Sequence, residues 1–100
     1  NLQNSKGDTA LMGAAYEGHE RVVELLLRHG AEANLQNSDG WTALMAAAGN
    51  GHKRVVELLL QRGAEINLQN SKGDTALMGA AYEGHERVVE LLLQRGAEVN

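Results

Sequence analysis

His19, His52 and His85 recur at intervals of 33 residues, His29 stands apart, and 13 Asp and Glu residues are spread along the chain. Imidazoles and carboxylates can ligate a metal or exchange protons, so these groups are the first to consider. Zinc needs its ligands to converge within about 2.0–2.2 Å of one ion. Histidines related by a repeating unit lie about a helix diameter apart, ~10 Å, which is too wide. The spacing instead places His19, His52 and His85 at the start of a helix. No acidic pair stands with a nucleophile or base in a recognisable motif, and Ser5, Ser38 and Ser71 all fall in polar turns. There is no phosphate-cradling glycine motif, nucleophile elbow or calcium loop. Without Cys there is no thiolate zinc site, thiol nucleophile or disulfide. The sequence predicts no catalytic residue, no cofactor and no metal.

Charge points the same way. Nine basic against 13 acidic residues give a net charge of −4. A nucleic-acid binder needs a clustered positive stripe, and here the charges are mixed, so no nucleic acid is expected. No run of apolar residues reaches the length that spans a bilayer, and the first 20 residues carry no basic-then-apolar signal pattern. A cytoplasmic or other intracellular setting suits a chain without Cys.

The elements that must position these side chains repeat. The segment 34–66 returns on sliding the sequence by 33 residues either way, which aligns Gly7, Gly40 and Gly73, and Gly18-His19, Gly51-His52 and Gly84-His85. A period of this size marks a stacked array. The expected units are 1–33, 34–66 and 67–99 in one domain, with Asn100 opening a fourth. Each unit begins in a polar turn and reaches a Thr (Thr9, Thr42, Thr75) where a helix N-cap belongs. A short first helix follows with a small apolar face, Leu11, Ala14 and Ala15 in the first unit, closed by Gly18, Gly51 or Gly84. The second helix carries a broad stripe, Val22, Val23, Leu25, Leu26 and Leu27, opposite Glu20, Arg21, Glu24 and Arg28. Glu17–Arg21 and Glu24–Arg28 have ion-pair spacing. Both helices are shorter than the ~12–15 residues at which isolated helices become marginal, so they persist only by stacking. An array of three such units should be more elongated than a compact domain.

The pattern Gly-x-Thr-x-Leu, Ala-Ala, Gly-His-x-x-Val-Val-x-Leu-Leu-Leu-x-x-Gly-Ala-x-x-Asn, present three times, resembles the ankyrin repeat over the whole chain. The resemblance implies an all-α repeat solenoid, a stack of helix-turn-helix units joined by β-hairpin-like turns. It also implies non-catalytic protein binding through the hairpin tips and the exposed face of the first helices. The family's Thr-Pro-Leu-His segment stands here as Thr-Ala-Leu-Met. Ala10, Ala43 and Ala76 lose the restriction of Pro at the first helical position, and Met12, Met45 and Met78 lose the family's His bond to the Thr hydroxyl. Gly13 and Gly79 weaken their helices where the middle unit has Ala46.

The binding surface that the resemblance implies is where the units disagree: Lys6/Asp39, Asp8/Trp41, Tyr16/Gly49 and Glu17/Asn50. The third unit returns to the first with Lys72, Asp74, Tyr82 and Glu83. Trp41 is the sharpest candidate, since its site accepts Asp in both neighbours and Trp is a frequent interface anchor. Its alternative role is to lie over a neighbouring hairpin. Tyr16 and Tyr82 flank Gly49 and should form a shallow notch. Lys6, Asp39 and Lys72 should form a row of alternating sign.

The leading expectation is therefore an interaction or scaffold module for a protein partner, without nucleic acid or membrane. The alternative is an engineered or excised building block without a native target, because the first and third units differ only at Arg28/Gln94, His29/Arg95 and Ala33/Val99. Neither outer unit has the polar face of a capping repeat. Weak head-to-tail self-association through uncapped ends is the associated expectation.

Overall fold

Thr9, Thr42 and Thr75 each turn an extended backbone into a helix. In the computed structural model, which describes residues 3–99, each Thr hydroxyl oxygen accepts from the backbone N–H three residues on, at Met12, Met45 and Met78, over 3.2–3.3 Å. The cap thus forms with Met in place of His. Asn1, Leu2 and Asn100, at the expected edges of the array, lie outside the described residues.

Three antiparallel helix pairs follow in order: α1 (Ala10–Glu17) with α2 (Glu20–Arg28), α3 (Ala43–Gly49) with α4 (Lys53–Gln61), and α5 (Ala76–Tyr82) with α6 (Glu86–Gln94). Each first helix closes through a left-handed glycine, at Gly18, Gly51 and Gly84. The next N–H, of His19, His52 or His85, reaches back to Ala14, Ala47 or Ala80 at 2.9–3.0 Å. That closure satisfies carbonyls the helix would otherwise leave bare.

The histidines do stand at the start of the second helices, but their side chains cap nothing. His52 Nε2 lies 3.0 Å from the Tyr16 carbonyl oxygen, and His85 Nε2 lies 3.0 Å from that of Gly49. Each ring is turned back onto the preceding pair, where it ties neighbouring pairs together.

The pairs stack through small residues. Ala15, Ala47, Ala48 and Ala80 are fully buried, and Leu44, Val55, Val56, Leu59, Val88 and Leu92 fill the space around them. The second-helix stripe is most deeply buried in the middle pair, at Val55, Val56, Leu58 and Leu59, with Leu60 half-buried. In α2 only Val23 and Leu27 are buried, while Val22 and Leu25 stand exposed.

The turns before the first helices form a ladder across the pairs. The Ser38 N–H donates to the Lys6 carbonyl at 2.8 Å, and the Ser71 N–H to that of Asp39 at 3.0 Å. Among the described residues the hairpins reduce to a single antiparallel bridge, Gln3 with Thr9. Within each turn an Asn does the work that longer strands would do: Asn4, Asn37 and Asn70 each accept two backbone N–H groups through Oδ1.

Two expectations are corrected. The extents are 32 × 27 × 20 Å, so three pairs make a block and not a rod. Pairs stacked at ~10 Å give a stack about as deep as each pair is tall. The accessible surface of 5931 Å² exceeds only slightly the ~5500 Å² of a compact chain of this mass. Neither Glu17–Arg21 nor Glu24–Arg28 closes. Among the described residues the ion pair formed is Arg54–Glu57, at 3.6 Å and one residue nearer in sequence. Exposed side chains of this kind gain too little from pairing to be held in one geometry.

Candidate protein-binding groove

The first helices α1, α3 and α5 lie side by side, and their outer faces form one groove of about 1280 Å³. Its floor is Met12, Gly13, Met45, Ala46, Gly49, Met78 and Gly79. Residues this small let adjacent helices approach: a Cβ built on Gly79 would lie 3.8 Å from the Gly49 Cα. The turns supply Asp8, Asp39, Trp41 and Asp74 along one side. The C-terminal ends of the first helices supply Tyr16, Asn50, Tyr82 and Glu83 along the other.

The turn side is fixed by amides. Asn37 Oδ1 accepts from the Asp39 and Trp41 N–H groups at 2.9 Å, while its Nδ2 donates to Asp8 Oδ1 at 2.9 Å. Asn4 Nδ2 reaches the other Asp8 oxygen at 3.3 Å. These two amides, Asn37 first, hold the Asp8 carboxyl below the ordinary aspartate value, with a smaller contribution from Lys6 against slight burial. The opposite side is fixed at Asn50, whose Nδ2 donates to the Tyr16 carbonyl at 3.0 Å.

Trp41 is 39% exposed and lines the groove, so part of its ring is open to solvent and part is covered. Asn70, which stands to Trp41 as Asn37 stands to Asp8, is 8% exposed. The indole thus opens on the groove, beside the buried Asn70 of the next turn. Tyr16 and Tyr82 are more open still, at 57% and 89%.

Eight residues expected at the binding surface line the groove: Asp8, Tyr16, Asp39, Trp41, Asn50, Asp74, Tyr82 and Glu83. Lys6, Glu17 and Lys72 are exposed but lie outside it. The row of Lys6, Asp39 and Lys72 thus contributes only its acidic member. What the sequence reading missed is the floor. Met12 and Met45 are buried, at 6% and 3% exposure, yet they and the half-open Met78 also surface in the groove. The recurrent Thr-Ala-Leu-Met, one Met per first helix, was the available signal.

A family model described as Ankyrin repeats (3 copies) matches residues 11–100 of this chain. The chain belongs to the ankyrin repeat family. Ankyrin repeats are generally protein–protein interaction modules and are typically non-catalytic. No curated relative matches this ankyrin chain. Among its described residues no cluster of His, Cys, Asp and Glu is placed to hold a metal ion, and no helix is long and apolar enough to cross a membrane.

Proposed function

We propose that this ankyrin array is a non-catalytic module whose groove binds a segment of a protein partner, one with an apolar side and at least one Lys or Arg. The observation that carries this reading is the lining. The floor is thioether and small apolar surface, with Trp41 and two open tyrosines at its edges. Every charged group that lines it is a carboxylate: Asp8, Asp39, Asp74 and Glu83. Aromatic and Met surfaces bind by desolvation and repack easily, and a cation near an indole flanked by carboxylates is favoured twice.

The test is a titration followed by Trp41 emission, using a synthetic helical peptide of Leu and Lys and its Leu and Glu counterpart. The Lys peptide should bind, weaken as salt is raised, and lose affinity on Tyr82→Ala. Equal binding of the two peptides, or binding indifferent to Tyr82, would remove the groove from the account.

A further inference from the structure

The stack forms the same junction twice inside the chain. Each time, one pair offers a recess at the glycine that ends its first helix, and the next pair fills it with an imidazole. A Cβ built on Gly18 would lie 2.6 Å from the His52 ring, and one on Gly51 would lie 2.7 Å from the His85 ring. Gly84 carries the same recess, and nothing lies within 4 Å of it. At the opposite side of the stack His19 is exposed and fills no recess.

The apolar surface divides the same way. Val55 and Leu58, and Val88 and Leu91, are buried, at 7% exposure or less. Their counterparts Val22 and Leu25 are 45% and 42% exposed on the outer side of the first pair. On the outer side of the third pair Met78 and Leu93 are 40% and 42% exposed, where Met12 and Leu27 are buried. The two outer sides are thus the two halves of an interface that the chain already makes. Each half also has an internal copy, because residues 67–93 repeat residues 1–27 without change.

We propose that a second copy of this chain docks head to tail on these surfaces, with the first pair of one molecule on the third pair of the next. His19 enters the recess at Gly84 with its ring at the Tyr82 carbonyl, as His52 does at Gly18 and Tyr16. Asn4 reaches Asp74 as Asn37 reaches Asp8. The contact is heterologous and does not close, so the product is a series of growing stacks.

Charge sets the sign of its salt dependence. Three rows of equivalent surface positions avoid repeating a charge between neighbouring pairs: Lys6, Asp39, Lys72; Glu17, Asn50, Glu83; Glu20, Lys53, Glu86; others, such as Arg21, Arg54 and Arg87, repeat theirs inside the chain and at a junction alike. No neighbouring pairs within one molecule repeat a charge in these rows. A junction between molecules does so in all three, with Lys72 next to Lys6, Glu83 next to Glu17 and Glu86 next to Glu20. Equivalent positions lie ~10 Å apart, close to the Debye length of ~10 Å at 0.1 M salt. Salt therefore relieves the repulsion and strengthens the stacking, the reverse of an attraction between opposite charges.

Sedimentation of the full chain tests this. The average mass should rise with concentration, and the apparent dissociation constant should fall roughly fivefold between about 0.02 and about 0.5 M NaCl. The triple variant Lys6→Asp, Glu17→Asn, Glu20→Lys copies the middle unit's charges onto the first pair, so its junctions bring opposite charges together; it should stack at low salt and, unlike the parent chain, weaken as salt is raised. Val22→Glu with Leu25→Glu blocks one surface, and Leu93→Glu blocks the other. All three residues are already solvent-exposed, so the monomer keeps its fold. Each blocked form alone should be monomeric, and their mixture should form dimers and nothing larger. A single-chain mass at about 1 mM and high salt, association of the parent chain that weakens with salt, or blocked forms that still self-associate would each overturn the proposal.

Discussion

The imidazole of His52 lies 3.0 Å from the carbonyl oxygen of Tyr16, a residue 36 positions earlier in the preceding helix pair. A carbonyl oxygen can only accept, so Nε2 carries the proton. The ring occupies space that any side chain at position 18 would need. A histidine in one unit and a glycine in another are thus one structural device.

His52→Ala and His85→Ala should each lower the unfolding free energy by about 0.5–1.5 kcal/mol, the usual net value of one internal hydrogen bond. His19→Ala is the control. Its ring fills no recess within the chain, so its loss should change urea stability by less than about 0.5 kcal/mol. Equal losses at all three positions would show that the bond to the preceding pair is not what the histidine contributes.

Gly18→Ala and Gly84→Ala separate two effects. Both positions have a φ near +77°, which penalises a Cβ, but only Gly18 also faces a ring at 2.6 Å. Gly84→Ala should cost about 1–2 kcal/mol from the left-handed backbone alone, and Gly18→Ala clearly more. Calorimetry of the two variants in dilute solution decides it.

Gly13 and Gly79 lie inside helices with ordinary backbone angles, and a Cβ meets nothing within 4 Å at the first and only ordinary contact at 3.8 Å at the second. Changing each to Ala should stabilise by roughly 0.5–1 kcal/mol, as the middle unit already does with Ala46. The same methyl groups narrow the groove floor. Higher melting temperature with weaker peptide binding is the expected pair of outcomes.

Asp8 supplies a pH prediction. Its carboxyl titrates below the ordinary value of 3.8, chiefly because Asn37 donates to it and then because Asn4 does. A lowered folded value means that the ionised form favours folding above the ordinary value. That contribution is lost as pH falls through the folded value. Asn37→Ala should move the Asp8 titration upward by NMR, lower stability near neutral pH, and shrink the part of the acid-induced loss that Asp8 contributes.

The period, the Thr caps and the glycine stops were legible in the sequence because each is set within a few residues by backbone sterics. That Tyr16, Gly49 and Tyr82 line one groove was legible for a related reason: equivalent positions in a stack must be neighbours. The direction of the His52 ring was not, since a side chain at a helix start has two sides to turn to and local sequence names neither. The Met floor was missed because burial and groove exposure fall on different parts of one long side chain. The expected ion pairs failed because spacing on a helix permits contact without enforcing it.

Trp41→Asp separates the two roles of the indole. The variant restores the residue found at Asp8 and Asp74, and places a carboxylate where Asn70 can donate to it as Asn37 donates to Asp8 at 2.9 Å. The apolar burial lost with the covered part of the indole is thereby offset by a new amide–carboxylate bond, and urea stability should change by less than about 1 kcal/mol. Binding of a basic peptide then has two distinguishable outcomes. If charge alone held the ligand, an added carboxylate would tighten it. If the aromatic surface is the anchor, affinity should fall about tenfold or more despite that carboxylate. The second outcome is expected, because an exposed cation gains little from one more solvated charge, whereas the indole is among the largest apolar surfaces the groove offers.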